Sequence, residues 1–168
     1  MRTLRDSARS LVPAAVLLLL TTGCTAGPRI DIATPDPESL AAARTVGASP
    51  ESPIVMDEGI NPEVADWIAD AVKRELVARG FQTGDSPDLV GRARVLLKDD
   101  TITFDYARGE DYVFDYKLGT LVLEFMDAES GDLVWHGAAE GIVEPGVGPE
   151  DIDAVIVRLL EGWPSVEG

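Results

Sequence analysis

Few side chains of this protein could act as a nucleophile, a base or a ligand for a transition metal, because its 168 residues include one cysteine and one histidine. Cys24 has no second cysteine for an internal disulfide, and together with His136 it cannot complete a zinc site of four cysteine or histidine ligands. A centre built from several histidines is excluded for the same reason. The sequence indicates no cofactor, and the chemistry open to Cys24 depends on where it lies.

Cys24 directly follows a segment with the layout of a secretory signal. Three arginines precede an apolar run from Leu11 to Leu20, which spans about ten residues, whereas a bilayer-crossing helix needs roughly 20. Residues 21–24, Thr-Thr-Gly-Cys, resemble the bacterial lipobox, in which a small residue precedes a cysteine that is lipidated and becomes the new N-terminus. We therefore expect a lipoprotein signal peptide over residues 1–23, cleavage between Gly23 and Cys24, and a lipidated Cys24 on a short tether over residues 24–27. The alternative is a plain signal peptide with an incidental cysteine.

The charge of the chain and the residue after Cys24 indicate a location. Residues 1–23 carry three arginines and one aspartate, a net +2, so the formal charge of −16 becomes −18 after their removal. Such an acidic body repels phosphate backbones, which excludes nucleic acid as a partner, and it would meet a membrane through its lipid anchor. In enteric-type sorting rules an aspartate after the lipidated cysteine retains the protein in the inner membrane, but this chain has Thr25. We therefore expect a lipid-anchored protein of a bacterial cell envelope, on the periplasmic face of the outer membrane.

Hydrophobic periodicity divides residues 28–168 into the elements of one α+β domain. Helices are predicted at 62–79 and 149–162, where apolar side chains recur every three or four residues, and a helical turn at 39–43. Gly80 should close the first helix, with Phe81 placed to contact Leu76 as in a Schellman cap. Strands are predicted at 28–33, 44–48, 88–98, 120–126 and 133–141, and the Pro-containing residues 49–59 are interpreted as a loop. The order β-β-α-β-β-β-α predicts a twisted antiparallel sheet of about five strands, with the two helices packed on one face.

The turn at residues 127–132 predicts a hairpin between the last two strands. This turn places Phe125 opposite Leu133 and Leu123 opposite Trp135. The large Trp135 then lies beside Gly137, which gives the alternation of large and small side chains that a packed sheet face needs.

Residues 99–118 are unusual because they contain five of the ten aromatic side chains, including every tyrosine. These are Phe104, Tyr106, Tyr112, Phe114 and Tyr116. A hairpin turn centred on Gly109 would place Tyr106 opposite Tyr112, Phe104 opposite Phe114 and Ile102 opposite Tyr116. The neighbouring strands direct odd-numbered residues into the core, whereas these aromatics are even-numbered. We therefore expect a paired bulge or a bend at Asp99 and Gly119, and an aromatic stripe on the face opposite the helices.

The aromatic stripe has two interpretations. It is either a contact surface for an envelope protein or a glycan, or a small satellite core that only stiffens the hairpin. The acidic residues around it suggest a further alternative, a calcium site using Asp99, Asp100, Glu110 and Asp111, since calcium prefers several carboxylate oxygens. Their spacing matches no EF-hand loop, and a solvated acidic surface explains them more simply.

We do not expect an enzyme. His136 alternates outward from Trp135, opposite Val122, and Asp85, Ser86 and His136 form a triad only by assumption. The sequence contains no Gly-x-Ser-x-Gly, HExxH or phosphate-binding loop motif. These observations favour a non-catalytic interaction or structural module, with a hydrolase as an alternative.

Two stretches of the sequence resemble the DUF4136 family of bacterial lipoproteins. The first is Glu-Leu-Val-Ala-Arg-Gly-Phe at 75–81, followed by Pro-Asp-Leu-Val at 87–90. The second and more specific stretch is Gly-Thr-Leu-Val-Leu at 119–123, continuing to Leu-Val-Trp-His-Gly at 133–137, and the terminal Trp163-Pro164 also fits. The resemblance covers the chain from about Ile30 to Pro164. It implies an envelope location and an α+β fold, and it assigns no catalytic residues because the molecular function of the family is uncharacterised.

Replacing Cys24 by serine tests the predicted anchor. Serine has no sulfur to acylate, so we expect the Cys24→Ser protein to be released from membranes by a wash that retains the wild type. Mass spectrometry of the wild type should show the acyl mass on Cys24. A bare thiol in the wild type, or equal release of the two proteins, would contradict the prediction.

Overall fold

The computed structural model describes residues 27–48, 54–84, 86–105 and 111–166, with the backbone alone at 104, 105, 111 and 112. Within these ranges the chain forms seven strands and three helices. In chain order they are β1 (Arg29–Ala33), α1 (Pro37–Ala42), β2 (Thr45–Ala48), β3 (Ile54–Met56), α2 (Glu63–Ala78), β4 (Gln82–Thr83), β5 (Leu89–Asp105), β6 (Asp111–Asp127), β7 (Leu133–Val143) and α3 (Pro149–Leu159). The predicted signal peptide, Cys24, Asp85, Tyr106 and Glu110 lie outside the described residues.

The strands form one mixed sheet, which is larger than the antiparallel sheet of about five strands that we predicted. Its order is β1-β7-β6-β5-β2-β4, and β3 pairs with β5 beyond the end of β2. The ladders β1–β7, β7–β6 and β6–β5 are antiparallel, whereas β2 and β3 run parallel to β5. The missed strands are β3, with three residues in the predicted loop, and β4, with two residues. Segments this short contain too few residues for alternation to be recognised.

Strands β5 and β6 form an unbroken ladder in which all 17 residues of each strand are paired. The predicted bulge is therefore wrong, because Asp99 lies opposite Lys117 and Gly119 lies opposite Leu97. The ladder also pairs Phe104 with Tyr112 and Ile102 with Phe114, two residues away from the predicted register. A shift of two residues leaves every side chain on its own face, so hydrophobic patterning alone does not distinguish the two registers.

The β6–β7 hairpin also differs from the prediction by two residues. Phe125 pairs with Trp135 and Leu123 with Gly137, and a bulge follows, because Met126 pairs with Leu133. The bulge inserts Val134, so that Val134 and Trp135 are consecutive and both buried. A bulged residue breaks the alternation on which the predicted register depended.

The helices pack against the odd-numbered face of the β5–β6 ladder. Helix α2 is the predicted helix. Its C-terminus is closed by Gly80, where φ is +90°, and by the Phe81 N–H, which donates to the Leu76 carbonyl at 3.1 Å. This is the predicted Schellman cap. Helix α3 matches the second predicted helix, and an ion pair between Arg74 and Asp153 joins the two helices. Both helices contribute buried residues to the same core as the sheet.

Four aromatic rings form the centre of this core. They are Phe81, Phe125, Trp135 and Trp163, which meet edge to face with ring centroids 4.6–6.0 Å apart. Edge-to-face contacts of this kind add stability beyond the area that the rings bury. The cluster links the two central strands to the segments that follow α2 and α3.

Gly137 is required because the indole of Trp135 lies over it, which is the large-and-small packing expected from the sequence. A Cβ at position 137 would lie 2.2 Å from an indole carbon of Trp135. We expect Gly137→Ala to lower the free energy of unfolding by about 1–3 kcal/mol, the range for overpacked cores. Urea unfolding measures this loss, and Gly162→Ala is the matched control because nothing lies within 4 Å of a Cβ there. Equal stability of the two variants would contradict the packing.

Candidate functional site

One face of the sheet turns away from the helices. We call this the open face: the even-numbered side chains of β5 and β6, and those of β7 from His136 onward. None of the described side chains of β5 or β6 on this face is buried, whereas their odd-numbered neighbours include Leu89, Leu121 and Leu123 of the core. The open face is thus the broad sheet surface available for contact with another molecule.

Three polar side chains form a row across the middle of the open face. Arg92, Glu124 and His136 lie directly opposite one another on β5, β6 and β7. The Arg92 Nε donates to Glu124 Oε2 at 2.6 Å, and His136 Nδ1 lies 3.6 Å from Glu124 Oε1. The predicted partner of His136 was Val122, and the two-residue shift of the hairpin replaces it with Glu124.

Glu124 is ionised in this row at neutral pH. Partial burial disfavours its charged form, but the hydrogen bond and charge of Arg92, with smaller contributions from His136 and Arg94, hold the pKa of Glu124 below its usual value. The carboxylate therefore accepts the hydrogen bond of Arg92 and lies next to the imidazole of His136. One signal of this row is visible in the sequence, because alternation along β5 directs Arg92 and Arg94 away from the core.

The second surface feature is the arm, which we define as residues 98–105 of β5 with residues 111–118 of β6. No described side chain of the arm belongs to the core. The exposed fractions are 44% for Ile102, 61% for Val113 and 54% for Phe114. Ile102 and Phe114 are paired on the open face, and Val113 lies on the opposite face of the arm. The arm therefore presents an apolar pair on the open face and, among its described side chains, a single apolar residue on the other face.

Tyr116 lies at the base of the arm and is half-buried. Partial desolvation, together with the carboxylates of Asp100 and Glu140, raises the pKa of Tyr116. The pKa of Asp100 is lowered, chiefly by a hydrogen bond from the Thr101 N–H and also by the charge of Lys98. Of the other predicted aromatic positions, Phe104 and Tyr112 are described as a backbone pair, and Phe114 is described in full.

The acidic residues of the arm do not converge in the described structure. Asp99 and Asp100 are adjacent in a strand and so point to opposite faces. Asp99 pairs with Lys117 at 2.8 Å, and Asp100 lies 3.8 Å from Lys98. Among the described residues no three histidine, cysteine or acidic side chains are grouped as a metal site requires. The side chains of Glu110 and Asp111 are outside the description, so the calcium site stays a prediction.

The hydrolase alternative would need Ser86 and His136 to lie together, and no contact between them is found among the described residues. Ser86 is exposed before β5, whereas the contact of His136 is with Glu124.

On the helix side, a cavity of about 460 Å³ lies between α2 and the strands β2 and β5. Its lining is mostly apolar, with Lys73 among the few polar residues. Sequence patterning did not reveal this cavity, because it depends on how α2 sits over the edge of the sheet.

The fold and surface together define an α+β domain with a mixed sheet covered on one face by helices. The chain belongs to the DUF4136 family: the model of this family, described as a domain of unknown function, matches residues 42–165. No helix within the described ranges has the length and apolar character that spanning a membrane requires. None of the functionally curated proteins compared with the chain matches it.

Two solved structures of different proteins are similar in fold to this chain. A PDZ domain protein from Parabacteroides distasonis is 13% identical, with a TM-score of 0.54, and the match covers 84% of this chain and 38% of that protein. The PelC dodecamer from Paraburkholderia phytofirmans is 12% identical, with a TM-score of 0.56, and the match covers 83% of this chain and 99% of PelC. At these identities the likeness establishes a common fold.

The row on the open face makes stability depend on pH. Because the folded-state pKa of Glu124 is lowered, its contribution is present above the unfolded value of about 4.3 and is lost as the pH falls through the folded value. We expect Glu124→Gln to lower the free energy of unfolding by about 1 kcal/mol or less at pH 7, since the pair is partly exposed.

At pH 3 the difference between wild type and Glu124→Gln should shrink. Urea unfolding at the two pH values measures it, with Glu129→Gln in the exposed β6–β7 turn as the control. A difference that is the same at both pH values would show that ionisation of Glu124 is not the cause.

Proposed function

We propose that the protein is a lipid-anchored protein of the bacterial cell envelope that acts as a non-catalytic interaction module. Its anchor is the lipid on Cys24, and its location is the periplasmic face of the outer membrane. The support is the signal layout before Cys24, the lipobox-like residues 21–24, and Thr25 in place of a retention aspartate.

The observation that carries the interaction role is the arm. It extends the central hairpin beyond the core, adds no described buried residue to it, and exposes Ile102, Val113 and Phe114. Paired exposed apolar side chains such as Ile102 and Phe114 are typical of a surface that another molecule covers. We infer that the open face and the arm, including Phe104, Tyr106, Tyr112, Phe114 and Tyr116, form the contact surface, and that an envelope protein or a glycan meets the open face.

The electrostatics of the open face favour binding over catalysis. A general base works best with a pKa near the working pH, whereas Arg92 lowers the pKa of Glu124. The row of Arg92, Glu124 and His136 lies flat on a sheet surface, and a catalytic group usually lies in a cleft that excludes water.

The structural neighbours are consistent with an interaction role. In the PDZ domain protein the shared fold occupies about two-fifths of a longer chain, and PelC is described as a dodecamer. In the first protein the fold is one part of a longer chain, and in the second it is repeated in a dodecamer. A domain that contacts other domains or other copies needs exposed surface outside its own core.

Photocrosslinking in intact cells tests the contact surface. A crosslinking amino acid at Arg94, which is exposed on the open face, should give a discrete adduct with an envelope component. The same amino acid at Glu150, exposed on α3, is the matched control and should not give that adduct. Identical adducts at both positions, or none at Arg94, would contradict the assignment of the open face. Turnover in an activity panel that is lost in His136→Ala would contradict the non-catalytic role.

A further inference from the structure

The lipid tether and the arm leave the domain at the same end of the sheet. Strand β1 runs antiparallel to β7, with Arg29 opposite Glu140, and Pro28 lies against Gly141. Gly141 is opposite Gly119 on β6, which is opposite Leu97 on β5. This is the level at which the arm begins. The chain therefore enters the fold, from the direction of Cys24, beside the base of the arm.

The arm is longer than the tether. Gly27 is three residue steps from Cys24, so the tether spans at most about 11 Å at about 3.6 Å per step. The arm continues for seven residue steps from Lys98 to Asp105, about 23 Å at about 3.3 Å per step. In any orientation that turns this end of the sheet toward the bilayer, the arm meets the lipid before the tether is fully extended.

The side chains at this end suit the interface of a bilayer. Ile142, at the end of β7, is 66% exposed and adds to the apolar surface of Ile102, Val113 and Phe114. Val113 lies beside Asp115 on the face opposite Ile102 and Phe114, so a partner on that apolar pair would leave Val113 in water, whereas a lipid interface surrounds both faces. The amphipathic Tyr116 lies at the base of the arm, and tyrosine is enriched at membrane interfaces.

The charged side chains of the arm limit how deeply it can enter the bilayer. At its base Asp99 and Asp100 are paired with Lys117 and Lys98, which offsets their repulsion from lipid headgroups. At its far end Asp105 lies opposite Asp111, and two carboxylates would be costly to place in hydrocarbon. Unpaired strand edges are costly there as well. An arm with these features lies along the headgroup region and does not penetrate the bilayer.

We propose that the arm is a second membrane contact, which lies in the interface of the bilayer that holds the Cys24 lipid. This inference depends on the lipid anchor proposed above, and it names lipid as the partner of the arm. The two attachments together fix the orientation of the domain, so that the open face meets its partner at a defined height above the membrane.

Fluorescence depth measurements on the lipidated full chain test this proposal. Acylation consumes the sulfur of Cys24, so a cysteine introduced at Val113 or Ile142 is the one thiol that reacts with an environment-sensitive dye. Glu129→Cys, in the turn at the opposite end of the sheet, is the matched control. The labelled proteins are reconstituted in phosphatidylcholine vesicles, with and without a lipid that carries a quencher at the headgroup–acyl boundary.

We expect blue-shifted emission and strong quenching for the dye at 113 and 142, and neither effect for the dye at 129. Ile102→Ser should weaken quenching of the dye at 113 while the protein stays on the vesicles. Quenching at 113 and 142 no stronger than at 129 would overturn the proposal, and so would a dye at 113 that is shielded only when envelope protein is added. Failure of the anchor itself gives a different result, because the wild-type protein would then react with the dye at Cys24 and would not float with the vesicles.

Discussion

The structure depends on burying one face of the β5–β6 ladder under two helices. Phe125 and Trp135 project from the sheet, and Phe81 and Trp163 meet them from the segments that follow α2 and α3. Since hydrophobic stabilisation grows with the apolar area removed from water, the domain is held together on this side. The opposite side of the same strands is therefore free to carry polar and apolar groups that serve other purposes.

The periodicity of the sequence was enough to predict the elements that form this core. The apolar stripe of α2 and the alternation of β5, β6 and β7 matched the structure, and Gly80 with Phe81 marked the end of the helix. Periodicity could not predict the register, because a shift of two residues preserves every face. It also could not predict β3 and β4, because their stability comes from parallel pairing with β5 and β2, a tertiary contact that local sequence does not encode.

The change of hydrophobic pattern near Asp99 illustrates how one pattern permits two physical explanations. We expected a bulge or a bend at Asp99 and Gly119 to shift the inward and outward alternation of both strands by one residue. The even-numbered aromatic positions of the arm were attributed to that shift. The ladder instead continues without interruption, and the apolar positions move from the face under the helices to the open face. Phe114 and Tyr116, the aromatic side chains of the arm that the structure describes, lie on the open face, and no bulge is needed to place them there. The row of Arg92, Glu124 and His136 was not predicted, because it requires the register of three strands to be known at once.

The pairing of β1 with β7 joins the beginning of the domain to a strand near its end. The central hairpin can close locally, whereas β1 pairs only with a strand near the end of the domain, and such distant closures are slow. Until the two strands meet, β1 is an extended segment that other chains could capture. The first of the described strands is thus among the last to be locked into the sheet.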